Sequence, residues 1–149
     1  MSETIDIKVA EATGPVLDWM VAKAVDRKVH INMSIPYGHT EPDGPPFIEA
    51  YEEEPWPGAD EGYMPYSPSA IWEQGGPLID RYYVEFRYQG VNDWLAAYAL
   101  GGKYAFGTGR DYEAKSHLVA AMRAIVAAEL GDIVAVPVGL HAQAEGGVR

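Results

Sequence analysis

Trp72, Gln74, Gly75, Gly76 and Arg81 fall within one short stretch, and Tyr66 and Ser69 stand just before it. Between them they offer aromatic faces, a side-chain amide, a hydroxyl, a guanidinium and two backbone donors unshielded by a side chain. A pocket wall that holds a planar, polar, anionic ligand needs that inventory. Trp19, Trp94 and Arg123 are candidates for the facing wall. The competing reading makes the same stretch a structural loop clamped onto a sheet by Trp72. Arg123 lies at the edge of an apolar helical stripe, where it either pairs with a carboxylate such as Asp18 or Asp80 or faces an anionic ligand.

Signals for bond-making chemistry are weaker. Gly101, Gly102, Gly107 and Gly109 form a glycine-rich stretch, but Thr108 stands where a phosphate loop requires Lys, so a hairpin or flexible loop is the better reading. His30, His39, His117 and His141 include no pair at the spacing that puts two imidazoles on one helix face. His39 with Glu41 and Asp43 is the nearest approach to a ligand cluster, and a turn rich in Pro and Gly explains it as well. Ser67 and Ser69 flank Pro68 without the strand–turn–helix context of a nucleophile elbow. Glu52, Glu53 and Glu54 are adjacent and cannot all converge from one extended segment. No Cys is present, which excludes a thiolate nucleophile, a disulfide framework and a Cys-ligated metal. The expectation is a protein with no catalytic residues, no metal and no cofactor, an enzyme with an unrecognised site being the minority reading.

The elements that must position these residues follow from periodicity. Ile5, Ile7 and Val9 alternate as in a half-buried strand, and Val16, Leu17, Met20, Val21, Ala24 and Val25 recur at helical spacing, with Thr13 to cap and Pro15 in the first turn. A helix over 15–26 is predicted. Val29, Ile31, Met33 and Ile35 predict a second strand that ends at Pro36. Nine of the 11 prolines lie from Pro36 to Pro77, each removing a backbone donor, so long regular structure is not expected there beyond a short edge strand at 47–51. Tyr82, Val84, Phe86 and Tyr88 share one face of a further strand, and a turn at Gly90 and Asn92 leads into 94–100. Ser116 caps a helix striped by Leu118, Val119, Met122, Ile125, Val126 and Leu130, Gly131 ends it, and 133–136 make a last strand. The sum is an α+β fold: one domain over 1–140, a mainly antiparallel sheet with two principal helices on one side, a long acidic Pro-rich loop at 36–64, and a frayed tail at 141–149.

Charge narrows the partners. The net charge is −11, and between Val29 and Asp80 there is no Lys or Arg but ten acids. Such a segment repels a phosphate backbone, so direct nucleic-acid binding is not expected. It serves either as a solvated loop or as an acidic surface that imitates DNA or docks on a basic host protein. No apolar run reaches the roughly 20 residues of a membrane span, and the first residues carry Glu3 and Asp6 in place of a basic leader. Neither membrane nor secretion is indicated.

Several stretches, taken together, resemble the NinX-like family of tailed-phage and prophage proteins. They are Leu17-Asp18-Trp19 with Ala22 and Lys23, Tyr66-Ser67-Pro68-Ser69 with Trp72, Gln74-Gly75-Gly76-Pro77, and Ile79-Asp80-Arg81. Trp94, Ala96, Ala120-Ala121-Met122-Arg123, Val126, Leu130-Gly131-Asp132, Val134 and Pro137 continue the match. The chain departs from the family pattern in the acidic, Pro-rich segment up to Met64 and in Ser116-His117, where the family usually has Thr-Pro. The resemblance implies a phage origin and a place in the cytoplasm of the bacterial host, and it brings no catalytic residue. Small accessory phage proteins commonly counter host defences or redirect host proteins. The leading expectation is therefore a phage accessory protein that binds a small anionic ligand, such as a defence-signalling nucleotide, without catalysis. The alternative is an acidic interaction module acting on a host protein. Whether the chain forms a homo-oligomer is left open by its sequence.

Overall fold

The computed structural model describes residues 3–32, 47–51, 63–88, 94–103 and 112–140. Within them lie β1 (Thr4–Lys8), α1 (Gly14–Ala24), β2 (Val29–Asn32), β3 (Phe47–Tyr51), β4 (Tyr63–Pro65), α2 (Trp72–Arg81), β5 (Val84–Tyr88), β6 (Leu95–Ala99), β7 (Tyr112–Ala114), α3 (His117–Leu130) and β8 (Ile133–Pro137). A short 3-10 turn, Val9–Glu11, joins β1 to the approach of α1. The fold is α+β.

The element at the centre is α3, whose side chains are buried continuously from Ala120 to Ala128. A helix buried on nearly all sides belongs inside a protein, and the alanines at 120, 121, 124, 127 and 128 make this possible by letting neighbours approach closely while favouring the helical backbone. Its ends are set by local chemistry. The Ser116 hydroxyl accepts from the Val119 N–H at 3.3 Å, and Gly131 stops the helix at φ 93°, a conformation unfavourable to residues with a Cβ.

In place of the one sheet expected, the described strands form three small antiparallel sheets, two of which pack on this helix while the third packs on α1 through β3. β1 pairs with β8, β3 lies between β2 and β4, and β6 lies between β5 and β7. β6 carries Ala96, Ala97 and Ala99, all buried, so its neighbours can close on α3. Against another side of α3 packs α1, which contributes Leu17, Met20 and Val21 to the same continuous core. One core, not one sheet, unites the elements.

Two corrections to the sequence reading bear on the site. The strand over Phe47–Tyr51 is the middle of its sheet, not an edge, and its Ile48 and Ala50 are 2% and 0% exposed. Residues 36–64 are therefore not one surface loop, although most of that acidic segment, His39, Glu41 and Asp43 included, lies outside the described residues. The second correction concerns 72–81, read as rigid turns and found as α2 despite Gly75, Gly76 and Pro77 within it. Close packing overrides propensity here. A Cβ on Gly75 would stand 2.3 Å from the Pro68 carbonyl oxygen and 2.7 Å from Leu118 Cδ2, so only glycine lets α2 settle onto the preceding turn and α3. Among the described residues no helix is long and apolar enough to cross a membrane.

Candidate functional site

Asp18 is the fixed point around which the region is built. It lies on α1 and is 3% exposed. Its Oδ2 accepts from the Ser67 hydroxyl at 3.0 Å and its Oδ1 from the Ser69 backbone N–H at 3.0 Å. Burial pushes the carboxyl above its ordinary 3.8, against the pull of the hydrogen bonds from Ser69 and Ser67. From the other side the Gln74 amide grips the same turn. Its Oε1 accepts from the Ser67 N–H at 2.6 Å, and its Nε2 donates to the Pro65 carbonyl at 2.8 Å. A turn held by a carboxylate from α1 and an amide from α2 locks those helices together and fixes Tyr66 between them.

Tyr66 is buried in this frame, and burial is the main cause pushing its phenol up to about 12, with the nearby Arg27 pulling the other way. At neutral pH it is therefore an uncharged hydroxyl. Beside it opens a cleft of about 710 Å³, within the range of small-molecule sites. Arg27 enters it from the end of α1, Arg81 from the end of α2, and Ile71, Leu78 and Val25 give it apolar wall. Asp26 and Glu73 add carboxylates. The Arg27 guanidinium lies 6.0 Å from the centre of the Tyr66 ring, and that of Arg81 lies 5.4 Å from the Tyr82 ring, distances at which a cation is attracted to the aromatic face.

Arg27 owes its position to the way α1 ends. The Arg27 N–H donates to the Ala22 carbonyl at 2.8 Å and the Asp26 N–H to the Lys23 carbonyl at 3.4 Å, the pair of bonds that closes a helix when the intervening residue turns left-handed. That residue is Asp26, at φ 59°, where glycine is the usual occupant. Immediately past it a second cleft of about 530 Å³ shares Asp26 and Arg27 with the first and is lined further by Lys23, Lys28 and His30. The two clefts thus meet along an Asp26–Arg27 ridge. His30 is paired with Glu49 of β3 at 2.8 Å.

Of the residues singled out from sequence, Tyr66, Gln74 and Arg81 come together on the larger cleft. Gln74 spends both ends of its amide on the turn, so it shapes the wall. Ser69 and Gly75 sit one layer deeper, and the Gly75 N–H is not a free donor, because it bonds the Ile71 carbonyl at 2.9 Å as part of the helix. Gly76 stands on the same helix beside the Trp72 ring. Trp72 itself is 58% exposed and faces His117, with ring centres 6.4 Å apart. Trp19 is half-buried with the Lys23 ammonium 5.3 Å from its ring, and Trp94 has Lys115 at 6.0 Å. None of Trp19, Trp72, Gly76 and Trp94 lines the two clefts.

Arg123 has a different role from either one expected of it. It is 8% exposed, its Nε donates to the Ala12 carbonyl at 2.9 Å and an Nη to the Glu113 carbonyl at 2.6 Å. Neither Asp18 nor Asp80 is its partner. Desolvation lowers its pKa, and the two carbonyls it bridges tie the start of α1 to β7. Arg27, Lys28 and Glu73 were missed in the sequence because they lie on no apolar stripe. The available signal was a cation pair directly after a helix, which the helix dipole alone would also favour.

These features define a small α+β protein with a rigid, side-chain-locked turn and an open cleft of two lobes edged by cations. The family model described as Bacteriophage P22, NinX matches residues 8–129, and the chain belongs to that phage family. No curated protein matches it.

Proposed function

We propose that this phage protein is a non-catalytic binder of a small anionic ligand, a nucleotide in the first instance, held at the cleft beside Tyr66. The observation that carries the reading is the convergence of Arg27 and Arg81, from the ends of two different helices, on one cleft in a chain whose net charge is −11. A guanidinium offers paired donors either to a phosphate or to adjacent acceptors on the edge of a base, and the adjoining apolar wall offers area to the base ring. The frame that presents them is fixed by Asp18 and Gln74, so little ordering is required when a ligand arrives. A defence-signalling nucleotide of the host is the ligand that a phage accessory protein would gain by sequestering.

The test is a thermal-shift survey of the full chain against nucleoside mono-, di- and triphosphates and inorganic pyrophosphate. A ligand at about 100 times its dissociation constant stabilises the fold by about 2.7 kcal/mol. The melting temperature should rise with at least one nucleotide, and the rise should vanish in Arg27→Ala and Arg81→Ala. If no phosphate compound moves the transition, the anion reading is lost and an acidic surface acting on a host protein takes its place.

A further inference from the structure

The two lobes differ in charge, and the difference selects among anions. The smaller lobe presents Lys23, Arg27 and Lys28 against the single carboxylate of Asp26. The larger presents Arg27 and Arg81 against Asp26 and Glu73, together with apolar wall. A polyphosphate meets three cations against one carboxylate in the first and two against two in the second. A ligand that fills both is matched best when its charge lies at one end and hydrogen-bond donors and acceptors at the other.

Resting on the anion-binding reading above, we propose that the ligand is a guanine nucleotide, its phosphates in the smaller lobe and its base in the larger. Guanine is the base whose two edges suit this wall. Its N1–H and N2 amine are adjacent donors that fit the two oxygens of one carboxylate, and its O6 and N7 are adjacent acceptors that fit a guanidinium. Glu73 and Arg81 stand eight residues apart on α2, about 12 Å along its axis, a separation that a purine hydrogen-bonded at both edges can bridge. The Glu73 carboxylate is exposed and lines the cleft, where that contact would be made. Arg27, on the ridge, reaches the phosphates from the base side.

Calorimetric titration of the full chain with GDP, IDP, UDP and pyrophosphate tests this. IDP differs from GDP only in lacking the 2-amino group. GDP should bind about tenfold more tightly than IDP, in keeping with the loss of one arm of a bidentate contact. Glu73→Gln should abolish that preference, and Lys28→Ala should weaken GDP and IDP alike. If all four compounds bind equally and Arg27→Ala weakens them all, the base assignment fails while the anion reading stands. If none of the four binds, both fail.

Discussion

The buried turn around Asp18 and the open cleft beside Tyr66 are neighbours built on opposite terms. In the turn the polar side chains are paired within the protein: Asp18 accepts from the Ser67 hydroxyl and the Ser69 N–H, and Gln74 accepts from the Ser67 N–H and donates to the Pro65 carbonyl. In the cleft, Glu73 is exposed, and Arg81, also exposed, meets an aromatic face. Polar groups that are buried must be satisfied internally, whereas exposed ones are left to solvent or ligand. The part of the family resemblance from Tyr66 to Pro77, with Asp18, mostly builds the first region. Of the residues proposed to touch a ligand, Arg27 and Lys28 lie outside the resembling stretches, whereas Lys23 and Arg81 lie within them.

On this contrast, substitutions in the turn and core should change stability strongly, and those in the cleft only slightly. The largest effect is expected at Gly75. A Cβ there meets the Pro68 backbone carbonyl, which cannot rotate aside, so Gly75→Ala should destabilise by about 3 kcal/mol or more in urea unfolding. Arg123→Ala should cost about as much, roughly 3 kcal/mol, because two carbonyls lose a charged donor at a buried site. Arg81→Ala should by contrast change stability by only about 0.5 kcal/mol, the value of one cation at an exposed helix end. An Arg81 variant as damaged as the Arg123 variant would erase the distinction between the two regions.

Acidity sharpens the comparison further. Because the folded pKa of Asp18 is raised above 3.8, its protonated form is favoured by folding. Its contribution is thus fully present below pH 3.8 and is lost as the pH rises through the folded value. Wild type should therefore gain stability relative to Asp18→Asn as the pH is lowered from 7 toward 3.8, measured by denaturant unfolding at each pH. A difference that stayed flat, or reversed, would mean that the hydrogen bonds outweigh desolvation. An effect of opposite sign is expected at Tyr83, which is exposed at φ 51°, so Tyr83→Gly should raise stability by up to about 1 kcal/mol.

Elements with a clean period were legible in the sequence. The helix over His117–Leu130 matches in both ends, because its cap, stripe and terminal glycine agree with one another. α1 was displaced by one or two residues, and the strand over Phe47–Tyr51 was found in place but misjudged as an edge. α2 was not legible, since two glycines and a proline argue against a helix until the close approach to Pro68 is seen. Three strand residues at Tyr112–Ala114 are too few to show a period. Of the residues singled out by type, Tyr66, Gln74 and Arg81 line the larger cleft. The contribution of Arg27 depends on how α1 ends, and that of Glu73 on α2 being helical, neither of which a linear pattern reveals.

The most direct measurement is a calorimetric titration of GDP into the intact chain and into the Arg27→Ala/Arg81→Ala double variant, with unfolding curves recorded for both proteins. Wild type should bind saturably at one site, and the double variant should bind at least about tenfold more weakly while its unfolding midpoint stays nearly unchanged, since both side chains are exposed. Equal binding by the two proteins, or no binding by the wild type, would contradict the account.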